Sequence, residues 1–251
     1  MHSGSSPPPP HHGRPSHRGL DALALIVALL FPTLATLGYM VALAGHPLAG
    51  AAYAFSKVVQ FAFPALWIVG FYRRPLRLAR PRARDVAEGL MLGAAVLAAT
   101  LALYYGYFAG SPVLAGAPEA VAQKLIDFGV DTPLKFLLLA VFLSLIHSLA
   151  EEYYWRWFVF GQLRFHMPAS SALIISSLGF MAHHVLVVAT FLGGYGFYTW
   201  LFSFCVAVGG GLWAWLYQRT GSLYGPWASH FLVDVGLMWI GYELWRLGGA
   251  G

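Results

Sequence analysis

Three short runs hold nearly all the ionisable side chains that lie deep within apolar sequence. They are His147, Glu151, Glu152 and Arg156 in the first, His183 and His184 in the second, and His230 and Asp234 in the third. On a helix, residues four apart share a face, so Glu152 can pair with Arg156, His147 can meet Glu151, and His230 can meet Asp234. Adjacent positions diverge by about 100°, which lets Glu151 project into a cavity while Arg156 holds Glu152. A carboxylate beside imidazoles in a low-dielectric pocket suits hydrolysis. The carboxylate takes a proton from water, and nearby donors hold the oxyanion that develops on a peptide carbonyl.

These runs sit in a chain that cannot coat a water-facing surface. Of its 251 residues 59% are hydrophobic and 10% charged, against roughly 25% charged in an average soluble domain. A soluble single domain is excluded. Apolar stretches long enough to cross a bilayer recur at about 20–44, 48–72, 86–110, 133–165, 169–192, 197–217 and 222–247. The predicted fold is therefore an all-α polytopic membrane bundle of about seven transmembrane helices. Measured from the span centres, Glu151, His184 and His230 all fall within roughly 6 Å of the midplane, where they can converge. An ionisable group at that depth costs several kcal/mol and needs a partner, a wet cavity or a function. Polar glue between helices explains any one of these histidines, but it is a poor account of the whole set.

Three regions follow. Residues 1–19, rich in Pro, His and Ser, read as a disordered tail; 20–110 hold the first transmembrane helices; 111–251 form the catalytic core. Within 111–132, Val121, Leu125 and Phe128 interleave with Gln123, Lys124, Asp127 and Asp131, the pattern of a short amphipathic helix at the interface. Gly209, Gly210 and Gly211 read as a site of close helix packing. Lys57 and Lys135 read as edge residues whose stems carry the ammonium to the interface. Six of the twelve arginines lie between Arg73 and Arg84. In a membrane protein such a cluster reports topology rather than nucleic-acid binding, and it places the amino terminus in the cytoplasm. The single cysteine, Cys205, allows neither an intrachain disulfide nor a multi-cysteine metal site.

The run 151–156, Glu-Glu-Tyr-Tyr-Trp-Arg, resembles the EExxxR motif of the CAAX-protease and bacteriocin-processing family of intramembrane glutamic endopeptidases. Phe180 to His184 is similar to that family's FxxxH motif, and His230 to Asp234 to its HxxxN/D motif. The resemblance spans about 133–247, and order and spacing both match. It implies that Glu151 is the general base and that His184 orients or polarises the water. Arg156 would lock the motif through Glu152, and His230 and Asp234 would shape the oxyanion side. Asp234 stands where asparagine is frequent, and an ionised carboxylate cannot donate to an oxyanion. Only His184 lies four residues after Phe180; His183 is expected to face away.

The resulting expectation is a multi-pass membrane endopeptidase, in a bacterial inner membrane, that cuts a membrane-tethered protein or peptide and needs no cofactor and no nucleic acid. A zinc-dependent metalloprotease is the enzymatic alternative, since two histidines and a glutamate suit zinc, although HExxH is absent. A carrier or scaffold is the other. A carrier is disfavoured because the intramembrane polar residues crowd into the carboxyl-terminal half.

Overall fold

The computed structural model describes residues 18–249, and the proline-rich tail expected over 1–19 lies almost wholly outside them. The described residues form helices joined by short connections. With no water in a bilayer core, every backbone N–H and C=O must be satisfied within the protein, and helices do so along their own length. Among the described residues six helices are long and apolar enough to cross a membrane: α1 (Arg18–Ala42), α2 (Ala49–Phe71), α3 (Ala83–Phe108), α5 (Pro133–Leu163), α6 (Ala169–Leu192) and α7 (Phe197–Thr220). Between them lies the short α4 (Ala117–Asp127).

The stretch 222–247, expected as a seventh span, is a 24-residue helix, α8 (Tyr224–Leu247), but is not among the helices apolar enough to count as a span. It is less apolar than the other six because it carries His230, Asp234, Glu243 and Arg246 among its aromatic residues. Its length, about 36 Å at 1.5 Å per residue, still matches a bilayer core of about 30 Å.

The amphipathic helix expected in 111–132 is α4. It is tied to the end of α1. The Lys124 ammonium donates to the Met40 carbonyl (3.2 Å) and pairs with Asp127 (3.3 Å), while the Gly45 N–H donates to Asp127. Partial desolvation of the Asp127 carboxyl works against its charged form, but hydrogen bonds from Gln123, Lys124 and Gly45 outweigh it. They hold the group below the ordinary carboxylate range.

Helix α5 is not a regular α-helix. Two wide π-helical stretches, Phe142–His147 and Tyr153–Phe160, flank the short α-helical segment Ser148–Glu152. Wide turns of this kind are rare and recur at functional sites, because each re-aims the side chains beyond it. Here they bracket the glutamate pair. From Tyr154 to Leu163 every residue is buried, so this half of α5 is the central post of the bundle. Leu25 and Ala28 of α1, Ile68 of α2, Phe180 of α6 and Trp213 of α7 join its core. The outward faces carry large exposed apolar residues such as Leu30, Phe55, Leu66, Leu103 and Phe204, which is the surface a lipid environment accepts and water does not.

Small residues draw α3 against α8. A β-carbon added at Gly89 would stand 2.0 Å from the Gly225 carbonyl oxygen, and one at Gly93 would stand 2.8 Å from the Ser229 backbone. Neither leaves room for a side chain, which is the close approach that small residues permit in membrane bundles. Ser229 precedes His230, so this contact also sets the depth of that histidine. Gly93→Val therefore costs at least about 1–3 kcal/mol through overpacking. It also lowers activity more than its stability loss explains. Thermal unfolding in detergent alongside peptide cleavage checks this, and an unchanged melting temperature would refute the close approach.

Candidate active site

Glu151, buried to 4% exposure, is surrounded by imidazoles. Its Oε1 lies 3.3 Å from His147 Nε2 and 3.7 Å from His183 Nε2, and its Oε2 lies 3.8 Å from His230 Nε2. The i,i+4 pairing of His147 with Glu151 was readable in the sequence; the arrival of α6 and α8 at the same carboxylate is a tertiary result. Glu152, fully buried, pairs through Oε1 with Arg156 Nη1 at 3.1 Å. The same oxygen accepts from His230 Nδ1 at 2.8 Å. Because a carboxylate paired with arginine only accepts, His230 carries a proton on Nδ1 and turns Nε2 toward Glu151 and toward Asp234 Oδ1, 3.6 Å away. The two adjacent glutamates thus take opposite faces of one imidazole.

A second layer fixes these groups. The Arg156 guanidinium lies over the rings of Phe180 (4.6 Å) and Trp213 (5.0 Å) and donates to the Gly210 carbonyl at 3.3 Å. A β-carbon at Gly210 would come within 3.3 Å of the guanidinium. The glycine run of α7, expected to serve packing, thus makes room for the arginine that holds Glu152. Trp213 stacks on His230 with ring centroids 4.0 Å apart and donates its indole N–H to Ser229 at 3.0 Å. Nothing in the sequence marked Trp213, because its partner is on another helix.

The structure departs from the sequence expectation at two histidines and a lysine. His183, expected to face away, stacks on Trp155 and reaches Glu151. His184 Nδ1 instead bonds the Phe180 carbonyl at 2.8 Å, and its ring packs on Phe180 and His183. It makes no ion pair with Glu151 among the described residues, though the two interact electrostatically. His183 meets Glu151 because of how α6 is rotated against α5 in the packed bundle, which spacing within α6 does not report. Lys57 does not carry its charge to an edge. Its ammonium bonds Gln60 Oε1 at 3.2 Å, lies 5.6 Å from the Phe61 ring centroid and interacts electrostatically with Glu151. Lys135, by contrast, behaves as expected, pairing with Asp131 (2.7 Å) at the start of α5.

Among the described residues no group of three or more His, Cys, Asp or Glu side chains is placed to hold a metal ion. The arrangement supplies a carboxylate that can take a proton, imidazoles that can orient water or donate, and a buried ion pair that fixes one imidazole through its Nδ1–H.

No curated protein and no solved structure matches the chain significantly. Residues 133–236 match a family model described as Type II CAAX prenyl endopeptidase Rce1-like. That stretch holds Glu151, Glu152, Arg156, His183, His184, His230 and Asp234, so the three motifs and the cluster they build fall inside the match. Over residues 133–236 the chain is thus similar to the Rce1-like group of the CAAX-protease and bacteriocin-processing family of membrane proteases.

Proposed function

We propose that this protein is an intramembrane endopeptidase that hydrolyses a peptide bond near the membrane-tethered end of a protein or peptide, with water activated by Glu151. The observation that carries this reading is the Glu151 carboxylate within 4 Å of imidazoles from two further helices. Water held between Glu151 and His183 gives its proton to Glu151 as its oxygen adds to the scissile carbonyl. The carbonyl π electrons move to oxygen, and the oxyanion is met by the Nε2–H of His230 as an imidazolium, its Nδ1–H staying on Glu152. Glu151 then returns the proton to the departing amine, and the C–N bond breaks. Glu152 aligns His230 through Nδ1, in the manner of the acid behind the histidine of a serine-protease triad. Arg156 keeps Glu152 in place. Asp234, a fifth exposed at its side chain, orients His230 from the opposite side. No metal is needed for these steps.

Purified protein reconstituted in vesicles is expected to cut a farnesylated peptide, with new termini read by mass spectrometry and with no loss of rate on adding a chelator. A chelator-sensitive rate restored by zinc would replace this mechanism with the metal-dependent one. The Rce1-like match supports a CAAX-type substrate, and the positive-inside arginine cluster supports a cytoplasmic amino terminus.

Geometry and motif make different demands on the α6 histidines, and the variants separate them. His183→Ala is expected to lower kcat by about a hundredfold or more, the scale of a group positioned for proton transfer. His184→Ala is expected to act through loss of its bond to Phe180 and of packing. Its stability falls, with a smaller effect on kcat. Equal melting temperatures with the larger kcat loss in His184→Ala would hand the water-orienting role to His184.

A further inference from the structure

Away from the glutamate cluster, a cavity of about 710 Å³ runs beside α5, and neither Glu151 nor any imidazole near it is among the residues that line it. One wall is an apolar stripe on α5, from Ile146 through Leu149, Ala150 and Tyr153 to Trp157. Eleven steps from Ile146 to Trp157, at about 1.5 Å each, make this stripe about 16 Å long, close to the thickness of one leaflet's hydrocarbon. The other end is cationic, formed by Arg77 and Arg82 of the connection between α2 and α3. Both arginines are exposed, and neither has an ion-pair partner among the described residues. Their neighbour Arg84 pairs with Glu88 at 3.1 Å, and Arg219 closes on the same carboxylate.

One hydrogen bond indicates that this end is built rather than incidental. The Trp157 indole donates to the Arg77 carbonyl at 3.2 Å, which fixes the arginine segment against the mouth of the apolar stripe.

We propose that this cavity binds one anionic phospholipid of the surrounding bilayer, its phosphate between Arg77 and Arg82 and one acyl chain along the α5 stripe. The two exposed arginines and the leaflet-length apolar wall both match that chemistry. Anionic headgroups attract interfacial arginines by about 1 kcal/mol each. A lipid held there braces the flank of α5 whose inner side carries the glutamate pair.

The test uses the full chain in phosphatidylcholine vesicles with and without phosphatidylglycerol, with bound lipid counted by native mass spectrometry. The expected result is one retained phosphatidylglycerol in the unaltered protein. Retention should be about 30-fold weaker in the double variant Arg77→Gln/Arg82→Gln, about fivefold for each arginine. A matched double variant, Arg73→Gln/Arg80→Gln, removes the same charge from the same segment and is expected to retain the lipid. Leu149→Trp, which fills the stripe and leaves the arginines intact, is expected to lose it. Equal loss in both arginine double variants would overturn the proposal in favour of diffuse attraction. Displacement of the lipid by inorganic phosphate or glycerophosphate alone would overturn the acyl-chain half of it. Competitive displacement by a farnesylated peptide would assign the cavity to substrate instead.

Discussion

Glu151→Gln is expected to reduce cleavage of a membrane-tethered peptide by about a thousandfold or more while leaving the folded protein intact. The amide has the shape of the carboxylate but cannot take a proton from water, so the loss falls on the chemical step, where a positioned base contributes about 10² to 10⁴. Stability should change little, because the surrounding His147, His183 and His230 are not locked to Glu151 by any bond shorter than 3.3 Å. The measurement is kcat on a farnesylated peptide together with the thermal unfolding midpoint of the reconstituted protein. Wild-type turnover by a folded Glu151→Gln protein would remove Glu151 from the base role. Single-site loss at Glu151 together with intact binding of the peptide would place the defect in catalysis rather than recognition.

Glu152→Ala should fail in a different way. It leaves the Arg156 guanidinium buried at 2% exposure with its ion-pair partner gone, and it strips His230 Nδ1 of its acceptor. Removing one partner of a buried pair typically costs 3–5 kcal/mol, since the remaining charge is uncompensated. Arg156→Ala should cost a comparable amount, stranding the Glu152 carboxylate and opening space between Phe180 and Trp213. The double variant Glu152→Leu/Arg156→Leu is expected to be less destabilised than the sum of the two single changes, because it removes both charges together. Its activity should stay low, because His230 loses the acceptor that fixes its ring. Unfolding free energies in detergent for the three variants close the cycle. Additive losses would show that the two groups are not coupled, and with that the locking role would fall.

The rods themselves were legible from hydropathy. Every long apolar stretch became a helix, since a helix satisfies its own backbone in hydrocarbon along its length, and edges moved only by a few residues. The i,i+4 pairs were legible too: His147 with Glu151, Glu152 with Arg156 and His230 with Asp234 all lie within 4 Å, because they are local to one helix. The amphipathic α4 was readable for the same reason. What the spacing did not carry was rotation. The wide turns on either side of Ser148–Glu152 change which way α5 aims its residues, and His183 rather than His184 came to lie beside Glu151. Lys57 looked like an edge residue by position, yet its stem turns inward among Phe61, Gln60 and Tyr53.

By itself the sequence determined the apolar surroundings this protein needs, the helical rods, and the set of ionisable groups gathered at the candidate site. Those properties depend on composition and on periodicities a few residues long. Only the tertiary structure decided that Glu152 grips His230 from 78 positions away, that Gly210 leaves space for Arg156, and that Gly89 and Gly93 let α8 come close enough to deliver His230 to Glu151. These depend on the azimuth and separation of whole helices. Packing of small against large residues sets both, and no local spacing in one chain reports them.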